Sequence, residues 1–466
     1  MGTIGTEGNP LRVAIVGSGP TGFYAAGHLF KQQDLNIEVD MFERLPTPYG
    51  LVRGGVAPDH ATIKNVTKQF DRIAHHPRYR FFGLVELGRD VRIEDLQRHY
   101  HMILITTGAQ TDRHLDIPGE NLPRSHAATE FVAWCNGHPD YRDRKFDLSV
   151  DTAVVVGVGN VAMDVARILA RSHEELSKTD IADHALAALA ESKIKRIVII
   201  GRRGPLQTAF TLPEIRELGD MPNACVEIAE RDVELTPLDL EIMQNGLDQQ
   251  TSRKFEVMQQ YAQNHLNGKN RRIIFKFLAS PLELIAGPDG GVGSIKIVRN
   301  ELYRNGDGSV RPRPTDEITE LPAGIVFRSV GYRGVALPGV PFDEKRGVVP
   351  NAEGRVKDAQ NGEWIPGLYT AGWIKRGPSG MIGATKMDSG ETVQCMIEDL
   401  QAGRVQEPEV AGAEAALEMI RQRRPEFIDF ENWQKLDALE LKRGQETGRP
   451  RVKFTSVPEI MQALNR

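Results

Sequence analysis

Two glycine-rich turns give this chain its chemistry. In the first, Gly17-Ser18-Gly19-Pro20-Thr21-Gly22, an apolar run Val13-Ala14-Ile15-Val16 leads in and a helical pattern with Phe23, Ala26 and Leu29 leads out. Strand, tight turn and helix in one short unit suit a dinucleotide: Gly17 allows the sharp turn, Gly19 lets the backbone approach a pyrophosphate, and Gly22 lets the helix pack on the strand. The helix N-terminus then offers free N–H groups to the phosphates. A GxGxxG pattern alone is weak, but here its context fits. The next strand pattern, Ile37-Glu-Val-Asp-Met-Phe42, ends on Glu43, whose carboxylate suits the hydroxyls of a ribose.

The second turn, Gly157-Val158-Gly159-Asn160-Val161-Ala162, follows Thr152-Ala-Val-Val-Val and has alanine in its third small position. Asp164, Val165 and Ile168 continue its helix. The strand after it, Arg196-Ile-Val-Ile-Ile-Gly201, ends not on an acid but on Arg202-Arg203. A carboxylate repels a ribose 2′-phosphate, whereas two guanidiniums bind one. One site therefore suits an adenosine with free ribose hydroxyls, and the other suits NADP(H).

The elements that must position these turns read as an α/β fold. Further buried strands end in glycine: Met102-Ile-Leu-Ile-Thr-Thr-Gly108, Ile325-Val-Phe-Arg-Ser-Val-Gly331 and Gly367-Leu-Tyr-Thr-Ala-Gly372. Apolar runs of this kind mark a parallel sheet covered on both faces. Residues 45–65 are rich in proline and glycine and read as an ordered loop crossing a ligand, with Arg53, His60 and Lys64 as its chemically interesting side chains. A helix is expected over 62–74, one more within 171–192, and another starting within 206–217. Residues 230–275 read as polar and helical, the NGDG at 305–308 as a hairpin loop, and 404–466 as surface helices.

Composition narrows the function classes. The chain has 466 residues, 40% of them hydrophobic and 26% charged, and a formal net charge of -5, which gives no overall reason to expect a nucleic-acid partner. That length suggests two or three domains. No apolar stretch approaches a membrane span, and MGTIGTEGNP lacks the apolar core of a signal peptide. The three cysteines, Cys135, Cys225 and Cys395, are far apart, so there is no CxxC redox pair, no thiolate metal cluster and no four-cysteine iron–sulfur site. Reduced structural thiols in a cytoplasmic protein are the expectation.

RVAIVGSGPTGFYAA, LPTPYGLVRGGVAPDH, GVGNVAMDVARIL, IIGRRGPLQTAFT and AGWIKRGPSGMIG, in this order between Arg12 and Glu391, resemble the adrenodoxin reductase family of FAD-containing ferredoxin–NADP(+) reductases. The resemblance implies two nucleotide-binding, Rossmann-like domains, with a discontinuous FAD domain, 1–112 and 334–466, interrupted by an NADP domain, 113–333. It implies FAD along Gly17, Gly19, Pro20 and Gly22, with Glu43 on the ribose. Leu51 and Val85 would line its adenine and flavin surroundings, and Trp373, Gly380, Met381 and Ile382 its isoalloxazine and pyrimidine end. NADP(H) would lie on Gly159, Asn160, Val161, Arg202, Arg203 and Glu214, completed by Arg113 and Gly380. Ala61 departs from a proline common in the family and alters loop stiffness. Gly372-Trp373 agrees with the family where wider two-nucleotide flavoproteins carry Gly-Asp.

The implied activity passes electrons from NADPH through FAD to a separate ferredoxin-type iron–sulfur protein, feeding cytochrome P450 systems or other ferredoxin-dependent enzymes. The protein is expected to be a monomer or weak dimer with no bound metal. Hydride moves between cofactors, so no covalent nucleophile is needed. His60 either tunes the flavin or relays protons, with Asp164 and Glu217 as helpers near the nicotinamide, or it only ties down its loop. A disulfide reductase is disfavoured by the missing cysteine pair. The alternatives left are an NADPH-dependent flavin oxidase or monooxygenase, and a non-catalytic NADPH-binding subunit.

Overall fold

Strands of near-continuous Val, Ile, Leu and Phe form two open sheets, each with a glycine turn at the C-terminal end of a central strand. The computed structural model describes residues 3–263, 268–380, 382–405 and 407–466. The first sheet has seven strands in the order Asn351–Ala352, Arg355–Lys357, Trp364–Thr370, Met102–Ile105, Leu11–Val16, Ile37–Glu43 and Tyr79–Gly83. Its five strands from Trp364–Thr370 to Tyr79–Gly83 run parallel. Leu11–Val16 is wholly buried. The next two strands in the chain, Ile37–Glu43 and Tyr79–Gly83, lie on one side of it and Met102–Ile105 lies on the other, so Gly17 sits at the point where strand order reverses. There a crevice opens for a ligand.

The second sheet is parallel throughout its six strands: Ser125–Ala127, Ile325–Arg328, Thr152–Val156, Arg196–Ile200, Arg271–Lys276 and Ala224–Ile228. Gly157 ends its central strand at a second reversal point. A separate antiparallel sheet of Ala279–Ala286, Val292–Arg304 and Val310–Pro322 is attached to it, and the NGDG turn closes its hairpin. Where the chain crosses between the two sheets, Thr111–Asp112 pairs antiparallel with Tyr332–Arg333. The two crossings thus form one small ribbon.

Several helices differ from the expected outlines for local reasons. The span 62–74 holds two, Ala61–Lys64 and Thr67–Ala74, because the Thr67 hydroxyl takes the Lys64 carbonyl at 2.9 Å. The span 171–192 also holds two, His173–Leu176 and Asp183–Ala190. A Ser172–Glu175 capping box starts the first, and the Thr179 hydroxyl takes the Leu176 carbonyl at 2.7 Å as it ends. The C-terminal helices Ala413–Arg423, Phe430–Thr447 and Val457–Ala463 are more than a surface layer: Trp433, Leu436 and Ile460 join the core of the first sheet, and Glu440 is fully buried. No helix among the described residues is long and apolar enough to cross a membrane.

Candidate functional site

Each glycine of the first turn meets a steric demand. Gly17 sits at φ +108°, where a Cβ would lie 2.8 Å from the backbone of Thr106, and a Cβ on Gly22 would lie 2.3 Å from the carbonyl of Gly17. Gly19 differs: a Cβ there would meet no described atom within 4 Å. That open side faces a cavity of about 720 Å³ whose wall includes Gly17, Gly19, Pro20, Glu43, Leu51, Val85, Trp373 and Ile382. Pro20 occupies the first turn of the helix Pro20–Leu29, where its missing N–H costs nothing. Glu43 accepts the Ser18 N–H at 3.0 Å, the Ser18 hydroxyl at 2.7 Å and the Leu45 N–H at 2.9 Å, which fixes its carboxylate at the cavity rim. A cradle with free backbone beside a held acid fits the pyrophosphate and ribose of FAD. A Gly19→Val variant should therefore fold, as read by circular dichroism, but purify with little flavin; full flavin occupancy would refute the placement.

The cavity belongs to both sheets. Thr129, Val132 and Val161, from the chain between the two crossings, and Tyr332, in the second crossing, complete its wall. Val161 stands in the first turn of the helix Asn160–Ala170, which the second glycine turn begins. Trp373 lies with its ring 5.3 Å from that of Tyr332, and its indole N–H donates to the Ser379 carbonyl at 3.2 Å. Gly380 is exposed beyond this wall, and Met381 lies outside the described residues.

Around the second turn, Gly159 caps the helix Asn160–Ala170 and its Cβ direction is likewise open. Asn160 Oδ1 accepts the Thr211 N–H at 3.0 Å. Arg202 is exposed and Arg203 half-buried at the end of Arg196–Ile200. Their backbone carbonyls are tied to Asn300 Nδ2 at 2.8 Å and the Leu278 N–H at 3.1 Å. Neither guanidinium has an ion-pair partner among the described residues. Partial burial, then the charge of Arg202, lowers the pKa of Arg203. Arg113 is exposed at the crossing, its Nε 3.3 Å from the Tyr332 carbonyl.

His60, Asp164 and the helix carrying Glu214 and Glu217 come together although these three stretches lie far apart in sequence. His60 Nδ1 is 3.6 Å from Asp164, and its Nε2 is 3.3 Å from Glu217 and 3.8 Å from Glu214. Sequence reasoning missed the cations and the further acid that make this cluster possible. Arg167, with a fully buried side chain, donates to Asp59 at 2.5 Å, Asp164 at 2.6 Å and Glu214 at 2.9 Å. Arg171 reaches Asp59 at 2.7 Å and Glu217 at 2.9 Å. His60, Glu214 and Glu217 each present a ligand atom within 4.8 Å of one another, but guanidinium groups already neutralise this carboxylate set.

These neighbours set the proton affinities. Burial works against an imidazolium at His60, yet the Glu217 hydrogen bond, with Asp164 and Glu214 close by, outweighs burial and Arg167, and the pKa rises. Burial raises Asp164 and Glu214 despite Arg167. The His60 hydrogen bond lowers Glu217. Burial disfavours charge on Asp59 too, but Arg167 and Arg171 hold it well below the usual carboxylate range. The result is an imidazole that stays protonated above its ordinary pKa, beside one acid held charged and two pushed toward neutrality.

Comparison with known proteins matches this geometry. Residues 11–200 fit the model of the pyridine nucleotide-disulphide oxidoreductase family. The chain is 44% identical to the NADPH-ferredoxin reductase FprA of Mycobacterium tuberculosis, over 97% of this chain and 99% of the relative. It is 40% identical to the mitochondrial NADPH:adrenodoxin oxidoreductase of Arabidopsis thaliana, over 97% and 95%. The solved structure of Mycobacterium tuberculosis FprA in complex with NADPH superposes with a TM-score of 0.92 at 44% identity, covering 98% of this chain and 100% of that one. The three cysteines are buried and free, so the disulfide chemistry in the family description has no counterpart in a cysteine pair here.

Proposed function

The chain belongs to the adrenodoxin reductase-type family of FAD-containing ferredoxin–NADP(+) reductases, and from that premise we propose that it carries electrons from NADPH through FAD to a separate ferredoxin-type iron–sulfur protein. The observation that carries the reading is the shared cavity: Gly19 of one nucleotide turn and Val161 of the other open on the same 720 Å³ space, closed by Trp373 and Tyr332. Two nucleotides seated on those turns approach each other there, and holding them in register is the main catalytic task left to the protein. FAD, when bound, takes up a two-electron hydride and gives out electrons singly, which suits a one-electron iron–sulfur acceptor.

The residues divide that task. Gly17, Gly19, Pro20 and Gly22 hold the FAD pyrophosphate, and Glu43 takes the ribose. Leu51, Val85, Trp373 and Ile382 line the remainder, and the family resemblance adds Gly380 and Met381 to the FAD contacts. Gly159, Asn160 and Val161 seat the second nucleotide, Arg202 and Arg203 hold its 2′-phosphate, and Arg113 and Glu214 complete that side. The domain division follows the crossings, 1–112 with 334–466 around an insert 113–333. His60, which is not among the residues lining the cavity, holds a proton between Asp164 and Glu217. The acceptor serves cytochrome P450 systems or other ferredoxin-dependent enzymes, and the reductase works in the cytoplasm as a monomer or weak dimer.

The direct test is colour and turnover. The purified protein should be yellow, NADPH should bleach it without oxygen, and a ferredoxin should couple it to cytochrome c reduction. A colourless protein supports a binding subunit instead. Bleaching with fast peroxide formation and no ferredoxin-dependent turnover supports an oxidase.

A His60→Gln variant should keep FAD and NADPH affinity, because His60 stands among acids rather than in either glycine turn. Its raised pKa carries the imidazolium population to higher pH than a free imidazole would keep it. Stopped-flow bleaching across pH 6–9 should lose that limb, with a rate change on the order of tenfold. A wild-type rate and wild-type pH profile would reduce His60 to a loop tie.

A further inference from the structure

The one-turn helix that carries His60 is held at both ends. His60 is its N-cap and Lys64 its last residue. Lys64 Nζ donates to both carboxylate oxygens of Asp180, at 2.7 and 2.9 Å, and to Asn136 Oδ1 at 2.8 Å. Lys453, from the C-terminal segment, reaches the same two groups, Asp180 Oδ2 at 3.0 Å and Asn136 Oδ1 at 3.0 Å. The Asn136 amide donates to the carbonyls of Val56 and Val132 at 2.8 and 3.0 Å. Four distant stretches of chain thus converge on one polar knot in which the side chains of Lys64, Asp180 and Lys453 are 14%, 10% and 2% exposed.

We propose that Asp180, Asn136 and Lys453 are positioning residues for His60, clamping the far end of its helix so that the imidazole stays in register with Asp164 and Glu217. The inference rests on the reading of His60 given above. Positions four apart share a face and a rigid turn, so a shift of Lys64 is passed to His60. The C-terminal segment is itself anchored on both sides. Arg449 holds Asp183 and the carbonyls of Thr179 and Ile181, and Arg451 holds Asp437 at 2.6 Å and Glu440 at 3.0 Å. Glu440 in turn receives Arg53 from the loop before His60.

The charges rank the variants. Two ammonium groups share one carboxylate, so Asp180 is the keystone: without it Lys64 and Lys453 face each other. Losing Lys453 leaves a matched Lys64–Asp180 pair. Burial, then Lys453 and Lys64, set the balance at Asp180, and the two cations win, holding it well below the carboxylate range. Burial lowers the pKa of Lys453 and Asp180 is the main group opposing that, so the Lys453 ammonium depends on Asp180. Arg53 and Cys135 are the other titratable groups facing this knot. Asp164, Glu214, Glu217 and Arg167 face His60 from the opposite side.

The test compares Asp180→Asn, Asp180→Glu, Lys453→Met and the wild type, each with FAD bound. Two readouts are needed: NADPH-driven bleaching by stopped flow over pH 6–9, and amide hydrogen exchange across residues 57–66. Asp180→Asn should bleach on the order of tenfold more slowly, with its pH limb displaced toward that of His60→Gln and with NADPH KM unchanged. It should also lose exchange protection at 57–66. Asp180→Glu should recover most of the rate, and Lys453→Met should fall between. Wild-type rate and pH limb in both Asp180→Asn and Lys453→Met would overturn the positioning role and leave a structural tie. If Asp180→Asn fails to hold FAD, Lys453→Met decides by the same readouts. If NADPH does not bleach the wild type, the proposed function falls; the clamp then stands or falls on whether exchange at 57–66 responds to Asp180→Asn.

Discussion

Replacing Arg202 and Arg203 together with glutamine should raise the NADPH KM by roughly two orders of magnitude and leave NADH kinetics nearly unchanged. A hydrogen bond to a charged group contributes about 1.5–3 kcal/mol. Two such contacts at the lower figure amount to about 3 kcal/mol, a factor of roughly 10² in affinity. The size of the effect depends on the guanidiniums being free to meet a phosphate, and among the described residues neither is spent on a carboxylate. Their backbone is held by Asn300 and Leu278, so the pair is presented at the strand end with its side chains outward. NADH lacks the 2′-phosphate and never makes the contact. The measurement is initial-rate kinetics with both nucleotides and a common acceptor. An equal loss with NADH would show that the pair supports the fold of the turn rather than reading the phosphate. Because Arg202 is exposed, the NADPH advantage should also shrink as salt is added.

Both glycine turns, with the strand before and the helix after each, were legible because their signals are local. A glycine at a forced turn, a glycine facing open space and a charged residue at the end of the following strand all lie within short windows, and the need for glycine at Gly17 and Gly22 follows from excluded volume alone. The clustering of His60 with Asp164 and Glu217 came through the family resemblance, since nothing in the spacing of those residues brings them together. What stayed hidden is the partner set. Arg167 stands three residues after Asp164 on a helix, a spacing that reads as a surface pair. It is fully buried because Asp59, 108 residues earlier in the chain, closes over it. The same holds for the C-terminal helices: their many charges read as solvated faces, while Glu440 is buried between Arg53 and Arg451. A charge can be placed in a core only when its counter-charge is known, and here the counter-charges arrive from distant segments.

Arg167→Met should therefore have the largest structural effect of any single change at the site. The guanidinium holds Asp59, Asp164 and Glu214 at 2.5–2.9 Å with no side-chain exposure. Removing one partner of a buried ion pair costs about 3–5 kcal/mol, because the charges left behind are neither hydrated nor paired. Lysine should not rescue the loss, since a point charge cannot span three carboxylates as a planar fork does. For a chain of this size the readout is a thermal midpoint at fixed scan rate, followed alongside flavin release. The pH dependence has a definite sign. Asp164 and Glu214 already have raised pKa values in the folded protein, and losing Arg167 raises them further. A group with a folded pKa above its unfolded value stabilises most when protonated, and that contribution is lost as pH rises through the folded pKa. The deficit of the variant should thus be greatest near neutral pH and narrow as pH falls toward 5. Asp59, which keeps Arg171, has the opposite sign: its depressed pKa supports the wild type above the unfolded carboxylate range, and that support fades only in strong acid. A midpoint deficit that stays constant from pH 5 to pH 8 would mean that the loss comes from packing volume and not from carboxylates stranded without their cation.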